Sequence, residues 1–213
     1  MKISYAITVC SEHLELEQLL AQLNKFVIRD EKFEIVILKD LNNSTEEVQK
    51  IITKYSELLP IKVFEHALKK NFSAHKNFLN TKCKMDYIFN IDADEIPSSI
   101  LLKEIHIILS SNLSKDAWLV PRINIVKGLT VGHIKKWGWA IDDRGYVNWP
   151  DFQIRVYKNN KEIKWEGNVH ERPNGYSQLG TLPINDKYAL LHVKGIEKQE
   201  LQNLTYEQIQ KIS

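Results

Sequence analysis

Long apolar runs are missing from this 213-residue sequence. No stretch approaches the roughly 20 consecutive apolar residues that a bilayer-crossing helix needs. The N-terminal MKISYAITVC is only strand-sized, carries one lysine and is followed closely by Glu12, which does not read as a secretory leader. The expectation is a cytoplasmic protein without a transmembrane segment. Cysteine is scarce too. Cys10 and Cys83 have no metal-ligand spacing, so they read as two reduced thiols and not as a disulfide or zinc framework. Charge of one sign is also lacking: 29 Lys and Arg against 27 Asp and Glu leave a net +2, too little to argue by itself for a nucleic-acid footprint. Finally, there is no glycine-rich phosphate loop. Neither GxGxxG nor GxxxxGK[ST] occurs, which excludes a dinucleotide fold of the usual sort and a P-loop. A diphosphate would then have to be held by a metal and a cation, for which Lys76 is a candidate; the bland alternative for Lys76 is a solvated helix face.

What is present is alternation. Short apolar runs at Ile3–Val9, Phe33–Leu38, Ile61–Phe64 and Tyr87–Ile91 read as strands. Between them, helical spacing runs from Leu14 to Phe26, from Glu46 to Tyr55 behind Ser44 or Thr45 as N-cap, and from Phe72 to Cys83. Such alternation predicts a parallel sheet with helices on both faces. Beyond it, Ser98–Ser110 predicts an amphipathic helix. Asp116–Val126 predicts a strand whose Pro121 suggests a sheet edge or a bulge. Asp151–Tyr157 and Glu162–Trp165 predict a hairpin across Lys158-Asn159-Asn160. The polar segment from Ile196 onward predicts a helix.

The fourth strand runs into Asp92-Ala93-Asp94-Glu95. Carboxylates there stand at the carboxyl edge of a sheet, where open α/β folds bind ligands, and two hard oxygen ligands suit Mg²⁺ or Mn²⁺ with substrate phosphates completing the shell. In an extended segment Asp92 and Asp94 share a face. The plain alternative is a strand followed by an acidic helix cap. Thr8 and Asp40 end two other strands on the same edge, and Asp40 with Asp92 suits a base edge and ribose hydroxyls. Downstream, the pair His170-Glu171 offers an imidazole for a metal and a carboxylate base. All five tryptophans lie from Trp118 onward, suited either to core packing or to stacking on sugars or bases.

The succession ITVCSE, ILKD with its NNST loop, FSAHKNFLNTKCKMDYIFNIDADE and FQIRVYKNNKEIKWEGNVHE resembles glycosyltransferase family 2 with the GT-A fold. The likeness is to the branch with DADE and VHE motifs that includes lipopolysaccharide core and phage-encoded transferases. It covers about residues 3 to 195. It implies a single GT-A domain over 1–195, with a nucleotide-sugar half (1–97), an acceptor half (98–195) and a small antiparallel acceptor-side subsheet, followed by a C-terminal helix (196–213). It further implies a nucleotide-diphosphate sugar donor, most often a UDP-sugar. By this likeness Asp94 is the metal ligand, Asp92 meets the ribose or the metal through water, Thr8 and Asp40 line the nucleoside pocket, and His170 completes metal or diphosphate binding. Lys76-Asn77 stands where the family carries Arg-Asn, and NNST lacks the family's Gly and Asp.

The expected activity is metal-dependent inverting glycosyl transfer to a hydroxyl acceptor, with Glu171 or Asp151 as base and Glu171 preferred. The acceptor is a glycan, a lipopolysaccharide or modified DNA. The DNA reading rests on Lys127, Lys135, Lys136, Arg144, Arg155, Lys158, Lys161 and Lys164 gathering in the acceptor half. Two rivals are a non-catalytic sugar-nucleotide or glycan-binding module and a nucleotidyltransferase.

Overall fold

The computed structural model describes residues 1–29, 32–168 and 170–210, without the side chains of 207–210. The chain runs β1 (Ile3–Val9), α1 (His13–Phe26), β2 (Phe33–Asp40), α2 (Glu46–Ser56), β3 (Ile61–His66), α3 (Phe72–Asn80), β4 (Tyr87–Asp92), β5 (Glu95–Pro97) and α4 (Ser99–Ser110). It continues through β6 (Ala117–Lys127), α5 (Val131–Trp137), β7 (Val147–Lys158), β8 (Lys164–Glu166), β9 (Arg172–Asn174), β10 (Leu179–Thr181), β11 (Leu190–Gly195) and α6 (Ile196–Gln210). The main sheet has the order β3-β2-β1-β4-β7-β6-β11-β5, with β10 beside β6. Strands β1 to β4 are parallel, and β7 runs antiparallel to both β4 and β6.

The apolar runs of the parallel strands are buried on both faces, which is why they read as continuous and not alternating. On one face Ile3, Tyr5, Ile7, Ile35, Ile37 and Phe89 meet Leu16, Leu19, Leu20 and Leu23 of α1, Val48 and Ile52 of α2, and Leu101, Leu102 and Ile105 of α4. On the other face Ala6, Val36, Leu38 and Ile88 meet Leu79 of α3, Tyr157 and Trp165. Helix starts follow the sequence: Thr45 caps α2 and Ser98 caps α4 through side-chain oxygens. Among the described residues no helix is long and apolar enough to cross a membrane.

Three expectations are corrected. The strand containing Pro121 is interior, not an edge: β6 pairs with β7 on one side and with β10 and β11 on the other. Its proline, which lacks an N–H to donate, sits between the β10 pairing at 117–119 and the β11 pairing from Arg122. Register shifts at Trp118/Leu119 and Arg122/Asn124 supply the irregularity that the proline suggested. The expected hairpin does not form either. β7 spends its hydrogen bonds on β4 and β6, so β8 turns away and pairs with β9 in a separate two-stranded sheet. Lastly, β4 stops at Asp92 and the chain turns at Ala93-Asp94, so a shared strand face is not what relates the two aspartates. The C-terminal helix is present through Gln210; residues 211–213 of the expected helix lie outside the described residues.

Candidate functional site

A cavity of about 560 Å³ opens at the carboxyl ends of β1, β2 and β4. All eight residues singled out from the sequence line it: Thr8, Asp40, Lys76, Asp92, Asp94, Asp151, His170 and Glu171. Parallel register explains the first group. Thr8 lies opposite Asp92 across β1 and β4, and its hydroxyl donates to Asp92 Oδ1 at 3.0 Å.

The cavity wall carries a ladder of alternating charge. Glu171 Oε1 meets Lys76 Nζ at 2.8 Å, and Lys76 meets Asp92 Oδ1 at 3.1 Å. Asp92 Oδ2 meets Arg155 at 2.7 Å, and Arg155 meets Glu95 Oε1 at 2.5 Å. Glu95 Oε1 also accepts from Arg122 at 2.9 Å, and Arg122 forks onto Asp151 Oδ2 at 2.9 and 2.6 Å. Glu95 is fully buried, and Arg155 and Lys76 are each 4% exposed. Charges removed from water this far cost several kcal/mol each unless paired, so each member fixes the next. Lys76 is therefore not a solvated helix face; it also lies 4.4 Å over the Trp165 ring. Burial alone would raise the Asp92 pKa, but Arg155 and then Lys76 outweigh it and hold the carboxyl well below its usual range. Asp151 is likewise lowered: burial opposes, and Arg122, Asn124 and Gln153 prevail.

Asp94 belongs to a second arm. His192 Nδ1 lies 2.8 Å from Asn124 Oδ1, while Asn124 Nδ2 donates to Asp151 Oδ2 at 2.8 Å. Asp151 can only accept, so the amide orientation of Asn124 is assigned by the network, and with it the His192 tautomer that carries its proton on Nδ1. His192 Nε2 faces Asp94 Oδ2 at 3.4 Å. Lys198 and Lys194 stand 3.6 and 3.8 Å from the same oxygen. Asp94 is held below the usual carboxylate range, against the effect of burial, first by His192 and then by Lys194. Burial lowers the Lys194 pKa.

A carboxylate oxygen and an imidazole nitrogen 3.4 Å apart, the ring held from behind by Asn124, suit a cation between them. Among the described residues no group of three or more His, Cys, Asp or Glu side chains forms a ready cage. That fits an ion whose remaining ligands come from phosphate oxygens and water, as is usual for Mg²⁺ and its like. Six carboxylates line the wall (Glu12, Asp40, Asp92, Asp94, Asp151, Glu171) with four cations (Lys76, Arg122, Arg155, Lys194), and Lys198 stands beside Asp94 as a fifth, so the lining carries no excess of positive charge for an anionic ligand.

Other expected residues are placed less simply. His170 lines the same cavity at φ 54, its ring edge-on to Tyr206 at 5.2 Å. Asp40 is 2% exposed, and its carboxylate already accepts from Asn43, Leu68 and Asn42. It thereby ties the NNST loop to the segment after β3. Asn77 clamps the backbone of Trp165 in both directions at 2.8 Å. Of the cations assembled for a DNA surface, Arg155 is buried in the ladder, Arg144 is paired with Asp142 and Asp186, and Lys158 is paired with Asp116. Trp118 and Trp165 are core residues.

The family described as Glycosyl transferase family 2 matches residues 4–116, which contain β1 to β5 and the DADE tract. No curated protein matches the chain. Among solved structures, S. aureus TarS 1-349 in complex with UDP-GlcNAc is similar at 17% identity and TM-score 0.67, over 91% of this chain and 59% of that one. The mannosyltransferase PcManGT from Pyrobaculum calidifontis, in complex with GDP-Man and Mn²⁺, is similar at 14% identity and TM-score 0.60, over 89% of this chain and 56% of that one. Likeness at such identity is a likeness of fold, and this chain spans less than two thirds of either structure. With more than half of the sequence inside the family match, the chain belongs to glycosyl transferase family 2.

Proposed function

We propose that the chain performs metal-dependent, inverting transfer of a sugar from a nucleotide-diphosphate donor, with a UDP-sugar as the first to test, to a hydroxyl of a glycan acceptor. The observation that carries this reading is the closed circuit of side chains that joins the DADE tract to Asp151: Asp92, Arg155, Glu95, Arg122 and Asp151 by one path, and Asp94, His192, Asn124 and Asp151 by the other. Residues 1–97 supply the donor side and 98–195 the acceptor side.

In this reading Lys76 and Lys194 face the diphosphate, and Thr8 and Asp92 border the sugar-nucleotide. Asp94 and His192 would hold a divalent cation, and His170 lines the same cavity. Such an ion neutralises charge on the departing diphosphate. Asp151 accepts the acceptor's proton. It stands on β7, on the acceptor side of the cavity, with Arg122, Glu95 and Arg155 between it and Asp92; like Glu171 beside Lys76 at 2.8 Å, it is paired with a cation, Arg122 at 2.6 Å. The lowered pKa keeps Asp151 ionised but weakens it as a base. Proton transfer then comes late, as the acceptor oxygen gains positive character on bonding to the anomeric carbon.

The test is a thermal-shift panel of UDP, UDP-GlcNAc, UDP-glucose and GDP-mannose with and without Mn²⁺. A donor at a hundredfold over its Kd adds ~2.7 kcal/mol, which for a chain of this size is roughly 5–10 °C. The shift should require Mn²⁺ and vanish in Asp94→Ala. Absence of a shift with every nucleotide sugar refutes the proposal.

A further inference from the structure

Helix α5 buries none of its residues, yet it carries aromatic rings. His133 stacks on Trp137 at 5.1 Å with an interplanar angle of 14°, and Trp137 lies against Trp139 at 4.6 Å. Trp139 is half-buried and lines the cavity that holds Asp151. The three rings make a ledge that runs from the surface into the site. Its backbone is tightly specified. Thr130 and His133 form a capping box, Gly138 closes the helix at φ 64, and the N–H of Ala140 donates to Asn148 Oδ1 at 2.9 Å. A preformed indole pair that the core does not use is surface kept for a ligand.

We propose that this ledge is the acceptor subsite and that its ligand is an uncharged sugar ring, whose apolar C–H face stacks on Trp139 while its hydroxyls reach the polar wall of Asn148 and Gln153. The proposal rests on the transfer reading above, because Asp151 is where an acceptor hydroxyl must arrive. Charge around the ledge favours a saccharide over a nucleic acid. Glu200 stands 3.5 Å from His133, so a phosphate backbone at the ledge meets a carboxylate. Arg144 is tied to Asp142 and Asp186. The exposed Lys135 and Lys136 on α5 are the opposing consideration, and the experiment includes an oligonucleotide for that reason.

The experiment measures binding of wild type, Trp139→Ala, Trp139→Phe and Trp137→Ala to an array of oligosaccharides of glucose, galactose, mannose and N-acetylglucosamine, and to a ten-nucleotide thymidine oligomer. At least one saccharide should bind saturably. Trp139→Ala should weaken it tenfold or more, Trp137→Ala about threefold, and Trp139→Phe should restore most of the loss. Melting temperatures and the Mn²⁺-dependent UDP shift should be unchanged in all three variants. No saccharide bound, binding indifferent to Trp139→Ala, or tighter Trp139-dependent binding of the thymidine oligomer each overturns the proposal. If the wild type shows no UDP shift but binds a saccharide through Trp139, the donor reading falls and the ledge stands as a glycan site.

Discussion

Glu95→Gln is the most incisive perturbation the ladder offers. Glu95 is fully buried, its Oε1 receives both Arg122 and Arg155, and its Oε2 accepts the backbone N–H of Asp92 at 3.3 Å. Glutamine keeps the shape but fails on two counts. The buried Arg155 and the half-buried Arg122 lose the carboxylate they share, leaving Asp92 to the first and Asp151 to the second. In addition, an amide that turns its oxygen to the arginines presents its NH₂ to the Asp92 N–H, donor against donor. Removing one partner of a buried ionic cluster costs about 3–5 kcal/mol, and a chain of this size loses roughly 2–4 °C of melting temperature per kcal/mol. The expected drop is therefore on the order of 10 °C, read by thermal and urea unfolding. Glu95→Asp, which keeps the charge on a shorter arm, should recover part of it. A cycle with Arg122→Met should show coupling, because the arginine without Glu95 is itself a liability. A Glu95→Gln protein that melts within about 2 °C of wild type would refute the idea that the ladder is a single electrostatic unit.

Three further outcomes follow from the same geometry. His192→Ala should remove the Mn²⁺-dependent part of the UDP thermal shift, whereas His170→Ala should only reduce it; the reverse order would reassign the imidazole ligand to His170. Asp151→Asn should lower transfer by 10²- to 10⁴-fold while leaving the Mn²⁺–UDP shift in place, and Glu171→Gln should instead weaken donor binding by disturbing Lys76. Burial, helped by the nearby His66, lowers the His75 pKa from 6.5 to about 4. Below pH 6.5 the unfolded chain then binds a proton that the folded chain refuses. Stability should fall by up to roughly 3 kcal/mol as pH drops from 6.5 towards 4, and His75→Phe should flatten that window. The lowered carboxylates act separately: their contribution is present above about pH 4 and is lost as pH falls below it.

The donor-side residues were legible because chemistry and strand ends coincide there. A strand end is marked by the switch from apolar to polar residues, and in a parallel sheet all such ends share one edge, so Thr8, Asp40, Asp92 and Asp94 could be placed together without coordinates. The circuit behind them was not legible, since Glu95, Arg122, Asn124, Arg155 and His192 sit inside strands and their partners depend on strand order. Arg122 and Asp151 face each other only because β6 and β7 pair antiparallel; His192 faces Asn124 only because β11 lies parallel to β6. The expected hairpin joined β7 to β8 and so hid both pairings. A signal was nonetheless present. Arg122 and Asn124 in VPRINIV, Arg155 in FQIRVY, and His192 and Lys194 in LLHVKG are polar residues in β-branched runs, and where two occur in one run they stand two apart. Period-two polarity in a strand ordinarily marks the wet face of an antiparallel sheet. Here the strands on both sides are occupied and Arg155 and Lys194 are buried. An interior strand can keep such residues only if they satisfy one another, and a sheet face lined with mutually paired charges is a site by construction, because its water has been replaced by fixed dipoles and ions aimed at whatever enters.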